Sequence, residues 1–561
     1  MRLDTLTRRA GLYWHTVKYL RPVQIYGRLW FRLARPALDT SPSPALRLPS
    51  GQWIKPAQRR QSLVGEGQFY FLHQSGSLEQ LGWDDAATEI LWRYNQHYFD
   101  DLNAVAAPER QAWHHSLLQN WLAQNPPGRG TGWEPYPTSL RIVNWIKWSL
   151  AGNVLAPHLL HSLAMQTRWL CKRLEIHLLG NHLFANAKAL IFAGLFFEGH
   201  EAEKWLTKGL GIVARELPEQ VLEDGGNFER SPMYHSIFFE DVLDLINIAQ
   251  AWPQQIDVTT ADTWRHVAQK MHEWLVGMTH PDGQIGLFND AAFNVTPKPA
   301  ELADYAARLG LPVAERQDRS DRGATNRYVS VKHWPISGYI RLESPSAVAL
   351  LDVAPIGPDY LPSHANADTL SFELSLFGQR IVVNGGTSRY GLGPERLSER
   401  QTAAHSTVEL DGLSSSEVWG GFRAARRAYP IDLRLDQTAD QVRVACAHTG
   451  YRHLPGQPTP ERTWDMTAAS LRVTDRVTGG FREMVARYHF HPRVQVSATS
   501  ATTYLLTLED NRSVKLAIES GSGALIDAKY AEEFGNSVTI PCLRISSNVG
   551  TIAVRLEWAA D

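Results

Sequence analysis

Arg316-Gln317-Asp318-Arg319-Ser320-Asp321-Arg322-Gly323-Ala324-Thr325-Asn326 is where the chain changes rhythm. Upstream, apolar side chains recur three and four residues apart, as at Leu140, Val143, Ile146 and Leu150 with Trp145 and Trp148 between them. That is the period of amphipathic helices. Breakers separate such runs at Asn125-Pro126-Pro127-Gly128, Leu179-Gly180-Asn181, Glu223-Asp224-Gly225-Gly226 and Pro281-Asp282-Gly283. Downstream, the apolar runs are short: 346–352, 370–376, 380–383, 408–410, 441–447, 471–477, 504–508, 538–540 and 551–558. Gly, Asp and Asn punctuate them, which predicts a large antiparallel sheet or sandwich. Helices first and strands second predict an α+β multidomain chain with a boundary near 320–330. We read 56–325 as a helical bundle, solenoid or toroid and 326–561 as the sheet domain. Residues 1–55, rich in Arg, Pro and aromatics (Tyr19-Leu20-Arg21-Pro22, Trp30-Phe31-Arg32), read as an arm with short helices that docks on something larger.

The bulk properties narrow the function classes. A chain of 561 residues exceeds what one core holds, so two large domains are expected. A net charge of −2 supplies no general basic field, which argues against nucleic acid and places any polyanion in a locally basic cleft. Cys171, Cys446 and Cys542 are scattered and show neither a disulfide framework nor metal-ligand spacing. Met1 to Leu20 has charges but no long apolar stretch and no small-residue cleavage site, and no segment reads as a transmembrane helix. A cytoplasmic location without membrane insertion is expected, or export if the N-terminus has been processed. Trp and Tyr are plentiful; Trp92-Arg93-Tyr94-Asn95 and Trp133-Glu134-Pro135-Tyr136 suit either sugar rings in a cleft or packing between helices.

Four segments are too polar for their apolar surroundings. In Gly180-Asn181-His182-Leu183-Phe184-Ala185-Asn186 a Gly turn leads into a helix, with Asn181 near the N-cap. In Asp224–His235 the pair Ser231-Pro232 starts another helix, so Tyr234 and His235 lie in its first turn. The positive end of the helix dipole there would help a tyrosine lose its proton. In Leu361-Pro362-Ser363-His364-Ala365-Asn366-Ala367-Asp368 the polar groups at 364, 366 and 368 share one face if the segment is extended. In Arg400–Thr407, His405 stands at a strand entrance. Each has a bland reading as well: a capped helix, a packed Tyr, a satisfied imidazole, a loop anchor. Arg230, Arg400 and Arg423 could hold sugar carboxylates through bidentate forks, or form ordinary salt bridges.

Together these segments resemble the heparinase II/III-type lyases. The resemblance spans most of the chain and is most specific from Pro362 to Ala428. That stretch includes Asn384-Gly385-Gly386-Thr387 and the run from Ser414 to Arg423, which looks like the exopolysaccharide- and capsule-associated branch. The resemblance implies an incomplete (α/α) toroid followed by an antiparallel β-sandwich, with a cleft between them. It also implies β-elimination at a uronic acid of an acidic polysaccharide or oligosaccharide. In that chemistry a neutralised carboxylate stabilises the enolate-like intermediate, a base removes the C5 proton and an acid protonates the departing oxygen. Carried over, Asn181 with His182 is the neutralising position and Tyr234 the general acid or base. His405 is a site-wall residue, and Glu229, His235 and His364 complete the set expected at the substrate.

Asn366 stands where the family usually has the second His of a His-x-His-x-Asp pattern, and an amide cannot exchange protons as imidazole does. Three readings follow: a variant inactivated by replacing that His, an enzyme in which His364 or Tyr234 covers both transfers, or a relative that binds polysaccharide without cutting it. Some family members hold a structural metal, and the matching positions are Asn366, Asn384 and His405. Two amides and one imidazole make a poor zinc site. No cofactor is therefore expected, a weakly bound metal near Asn384 and His405 being the one exception left open. A glycoside hydrolase on the same scaffold, drawing on Glu229, Asp224 or Asp368, is the rival enzyme.

Overall fold

The computed structural model describes residues 2–312 and 329–559, so the Arg316–Asn326 run and the expected boundary at 325/326 lie outside the described residues. Helices α1 (Arg2–Val17) and α2 (Pro22–Leu33) open the chain. An extended stretch then runs along the helical domain, where Arg47 N donates to Phe196 O and Trp252 Nε1 to Leu48 O. It ends in a small antiparallel sheet of Leu63–Gly65, Gln68–Phe71 and Gln74–Ser77, which the sequence reading did not anticipate. Three- and four-residue strands are too short to show a period.

The helical domain comprises α3 (Leu78–Leu81), α4 (Ile90–Tyr98), α5 (Gln111–Gln124), α6 (Pro135–Leu150), α7 (Pro157–Lys172), α8 (Gly180–Phe196), α9 (His200–Gln220), α10 (Pro232–Ala251), α11 (Val258–Gly277) and α12 (Pro299–Arg308). α4, α6, α8, α10 and α12 touch in succession, while α7, α9 and α11 pack outside them. This alternation of inner and outer helices is the layout of an incomplete (α/α) toroid. α8 and α10 are buried on nearly every side, as expected of helices that are apolar all round. The acidic groups of α10 face the inner cations: Lys147 meets Asp244 at 2.5 Å and Lys188 meets Asp241 at 2.7 Å.

The sheet domain is built from two antiparallel sheets. Among the described residues, the nine-stranded one runs from Ser522–Tyr530 through Val538–Ser547, Met484–Phe490, Gln379–Val383, Phe372–Leu376, Ala347–Asp352 and Tyr339–Glu343 to Ser330–Trp334, with Val408–Leu410 paired on Met484–Phe490. The eight-stranded sheet has Ser470–Thr478 and Thr551–Glu557 at its centre. Leu342, Leu351 and Phe372 of the first pack with Val444, Trp464 and Val554 of the second, which makes a β-sandwich. The other face of the nine-stranded sheet lies on the helical domain, where Val348 and Leu350 join Trp274, Met278 and Phe288. Burial on both faces explains why Ala347–Asp352 and Phe372–Leu376 are continuously buried rather than alternating.

Polar contacts lock the two domains together. His280, just after α11, bonds Glu373 at 2.9 Å and Ser375 at 2.8 Å. Arg380 binds Asp282 at 2.7 Å and Glu373 at 3.3 Å. A second seam joins 289–290 to 364–368. Asn289 N donates to Asp368 Oδ2 at 2.7 Å, Asn366 N to Asn289 Oδ1 at 2.9 Å, and Asp290 N to His364 O at 2.9 Å.

Candidate functional site

The second seam sets one imidazole. Residues 361–370 form a loop, not a strand, so the side chains of 364, 366 and 368 do not share a face as expected. His364 Nδ1 lies 3.1 Å from Asp290 Oδ2, and Asp290 is clamped at 2.5 Å by both terminal nitrogens of Arg396 in α13 (Pro394–Arg400). Burial pushes against it, but Arg396 and the His364 hydrogen bond hold Asp290 below the ordinary carboxylate range. An ionised Asp290 accepts from Nδ1–H and leaves Nε2 with its lone pair. Burial outweighs the aspartate and lowers the His364 pKa, so the ring is a neutral base near pH 7.

Tyr234 lies against this ring, with centroids 3.8 Å apart. Ser231 caps α10 by accepting from Tyr234 N, as the Ser-Pro start predicts. The Tyr234 hydroxyl is 2.8 Å from that of Tyr390. The expectation that the helix start would ease loss of the phenol proton is corrected. Burial, and then Tyr390, raise the Tyr234 pKa well above 10, so the phenol is a proton donor. Tyr390 was missed in Ser388-Arg389-Tyr390-Gly391, where nothing in the pattern marks it. Its neighbour Arg389 is an exposed cation that reaches Glu395 only at 3.8 Å.

Across from this pair stands the start of α8. Leu179 and Gly180 both have positive φ, and no side chain caps the helix, so Asn181 is its second residue and not its cap. Asn181 is half-buried, and His182 beside it bonds Glu175 at 3.1 Å and packs at a tilt against Tyr136, with ring centroids 4.5 Å apart. Glu229 reaches both sides of the site. Its Oε1 lies 3.4 Å from where a Gly180 side chain would begin, and its Oε2 lies 3.7 Å from His364 Nε2. Oε2 is buried with no hydrogen-bond partner. Burial, and then Asp290, push the carboxyl up to about 8, so it is protonated at neutral pH.

Several expected site residues are elsewhere. Arg400 is fully buried and donates to the carbonyls of Ala365, at 3.0 and 2.8 Å, and Gly420, at 3.3 Å; it shapes the His364 loop and cannot hold a sugar carboxylate. The Arg230 guanidinium donates to Ser337 O at 3.1 Å and Ile336 O at 3.4 Å, which joins the domains. Arg423 is exposed and stacks over Trp419 at 4.7 Å. His235, one residue past Tyr234, points the other way: it is fully buried, bonds Met271 O at 2.9 Å and is lowered to about 3 by burial. Asn366 and His405 are 1% and 0% exposed, deeper than Tyr234 at 7% and His364 at 9%.

The metal implied by the family pattern does not fit. Asn384 Oδ1 accepts from Ser406 N at 3.2 Å, and its Nδ2 donates to Ser371 Oγ at 3.2 Å. Asn366 and His405 have no hydrogen-bond partner for either side-chain polar atom, yet the three offer no anionic ligand. Among the described residues no group of three His, Cys, Asp or Glu side chains could hold a metal.

Residues 86–305 match the family described as heparinase II/III N-terminus, and 327–554 that described as heparinase II/III-like, C-terminal. The heparin-sulfate lyase of Bacteroides stercoris is 28% identical over 255 residues, 43% of this chain and 37% of that protein. That of Pedobacter heparinus is 26% identical over 253 residues, 41% and 36% of the two chains. The matched region thus spans a little over a third of the length of these curated relatives. A heparinase III crystal structure shares the fold with a TM-score of 0.69 at 17% identity, over 95% of this chain and 88% of that one. A chondroitin AC lyase of Streptomyces coelicolor aligns with a TM-score of 0.51 at 10% identity, over 84% and 75%.

Proposed function

The chain belongs to the heparinase II/III family, and from that premise we propose that it is a polysaccharide lyase acting by β-elimination on a uronate-containing acidic polymer of the exopolysaccharide or capsule kind. The observation that carries this reading is the pairing of a neutral base with a proton donor in one stack: His364, with Nε2 free, against Tyr234, with its phenol bonded to Tyr390.

In this reading the uronate carboxylate lies between Asn181 and the protonated Glu229, whose hydrogen bonds drain charge from the developing enolate. His364 Nε2 takes the C5 proton. The C5–H electrons form the C4–C5 double bond, the C4–O bond breaks, and Tyr234 gives its proton to the leaving oxygen. To reset the site, His364 releases the C5 proton to solvent, and Tyr234 regains one through the Tyr390 hydroxyl, which takes its replacement from water. Asp290 and Arg396 hold the His364 tautomer without touching the sugar. Arg389 is the exposed cation placed to meet a neighbouring acidic residue of the polymer. Asn366, sealed from solvent, is no lost proton-transfer group, so the chain is read as competent without a His there.

Of the three carboxyl groups a hydrolase would draw on, only Glu229 is at the site: Asp224 accepts from Ile336 N and Ser337 N at 3.0 and 2.7 Å, and Asp368 from Asn289 N at 2.7 Å, so the second carboxyl that hydrolysis normally needs is not supplied by either. The test is incubation of the chain, its Tyr234→Phe variant and its Asn366→His variant with a panel of acidic bacterial polysaccharides. Ultraviolet absorbance follows unsaturated ends and mass spectrometry follows added water. Unsaturated product from the chain and not from Tyr234→Phe supports the reading. Products that have gained water, or turnover only in Asn366→His, overturn it.

A further inference from the structure

The two N-terminal helices carry more apolar surface than the fold uses. Their inner sides are docked. Trp419 Nε1 donates to Thr16 Oγ1 at 3.0 Å, Gln24 Nε2 to Tyr360 O at 3.0 Å, and Phe31 lies 4.5 Å from the His177 ring beneath Arg173. α1 therefore sits on the sheet domain, and α2 bridges the two domains, touching Tyr360 of the sheet domain and His177 of the helical domain. The outer side of α2 is bare: Ile25, Tyr26, Leu29, Trp30 and Leu33 are 56–70% exposed. At 3.6 residues per turn these five fill one arc of roughly 140°. Arg28 and Arg32 border that arc, and Trp14 of α1 adds a further exposed ring, 68% accessible.

Charge accompanies the apolar arc. From Arg9 to Leu38 the chain has Arg9, Lys18, Arg21, Arg28, Arg32 and Arg35 and no Asp or Glu. Arg21 is paired with Glu219. Burial, and then the neighbouring guanidiniums of Arg423 and Arg32, lower the Arg28 pKa, so three like charges crowd one spot that an anion would relieve. A second copy of the chain would bring the same cations face to face and repel. A polyanionic sugar would answer the charge and stack on Tyr26 or Trp30, but would leave Ile25, Leu29 and Leu33 wet. A surface with anionic headgroups above an apolar layer answers both, and Trp and Tyr are the side chains suited to that boundary.

We propose that α1 and α2 form a docking face for an anionic lipid membrane, lying in its headgroup layer without crossing it. No helix among the described residues is long and apolar enough to cross a membrane. The face adjoins the mouth of the candidate site: Arg423 stacks over Trp419 beside Tyr13, and its neighbour Phe422 lies 6.2 Å from His364. Docking would hold the cleft close to the bilayer, where a membrane-associated polymer is met.

The test is co-sedimentation of the full chain with phosphatidylcholine vesicles, with and without phosphatidylglycerol, at low and high salt. Binding to the anionic vesicles, weakened by salt, is expected. Trp30→Glu with Leu33→Glu should abolish it, and Arg28→Glu with Arg32→Glu should weaken it about tenfold or more. Melting temperature and turnover of soluble polymer should stay unchanged in both variants. Vesicle binding is read without any substrate, so it stands or falls separately from the lyase reading. Failure to bind anionic vesicles, or equal binding by the Trp30→Glu, Leu33→Glu variant, overturns the proposal. So does light scattering that finds a dimer which this variant dissociates.

Discussion

At the scale of single residues, environment sets the chemistry. Tyr234, His364 and Glu229 are ordinary side chains in the sequence; burial keeps the phenol protonated, the imidazole neutral and the carboxyl protonated at the same pH. Tyr234→Phe should lower turnover by about 10²–10⁴-fold with little change in melting temperature, because only the proton donor is removed. Tyr390→Phe should cost less. Glu229 also leaves a signature in stability. The unfolded chain releases this proton near the ordinary 4.5 and the folded chain near 8. Between those values the folded state holds more protons, so stability falls as pH rises, by up to about 5 kcal/mol, and levels off above 8. His364 acts in the opposite sense, costing stability as pH drops below its ordinary 6.5. Denaturant titrations from pH 5 to 9 should therefore show a stability difference between Glu229→Gln and the parent chain that grows with pH; a constant difference refutes the assignment.

At the scale of elements, backbone turns aim the site. Leu179 and Gly180 enter α8 with φ of 61° and 52°, and a Cβ on Gly180 would lie 2.6 Å from Leu361 Cδ2. Gly180→Ala should cost about 1–3 kcal/mol and also reduce turnover, since relief of the clash displaces the Leu361 loop that carries His364. Thermal unfolding and initial rates measured on one preparation check both outcomes. The reading of the Ser231-Pro232 start was sound because capping is local chemistry. Asn181 does lie near the N-cap, as the second residue of α8; that Leu179 takes the cap position in a left-handed conformation leaves no trace in residue type. Strands such as Pro430–Gln437 and Thr459–Thr467 were missed for a related reason: their exposed faces carry charges that hide the alternation.

At the scale of the whole molecule, the site exists only because two domains are held in register. Asp290 and Tyr234 come from the helical domain, and His364, Tyr390 and Arg396 from the sheet domain. Glu373 anchors the first seam by accepting from His280 and Arg380 and from the backbone amides of Leu287 and Asn384. Glu373→Ala leaves that buried cluster without its anion and should cost about 3–5 kcal/mol. Calorimetry should then resolve two unfolding transitions in place of one, with turnover lost at the first; a single shifted transition would show that the seam does not couple the domains.

The sequence by itself determined the class of each half, because apolar periodicity reports which face of a helix or strand is buried. It also marked the Asn181, Tyr234 and His364 segments as too polar for their surroundings. It could not tell which of the polar groups would meet. Arg400, His235 and His405 sit as near to those segments in the chain as the residues that converge, yet the fold turns them into loop supports and core. Tyr390, Asp290 and Arg396 enter the site unannounced. That selection rests on contacts between residues more than 100 positions apart, such as Tyr234 with Tyr390 and Asp290 with Arg396. Only packing of one domain on the other decides which side chains lose water together, and that shared loss of water shifts their proton affinities.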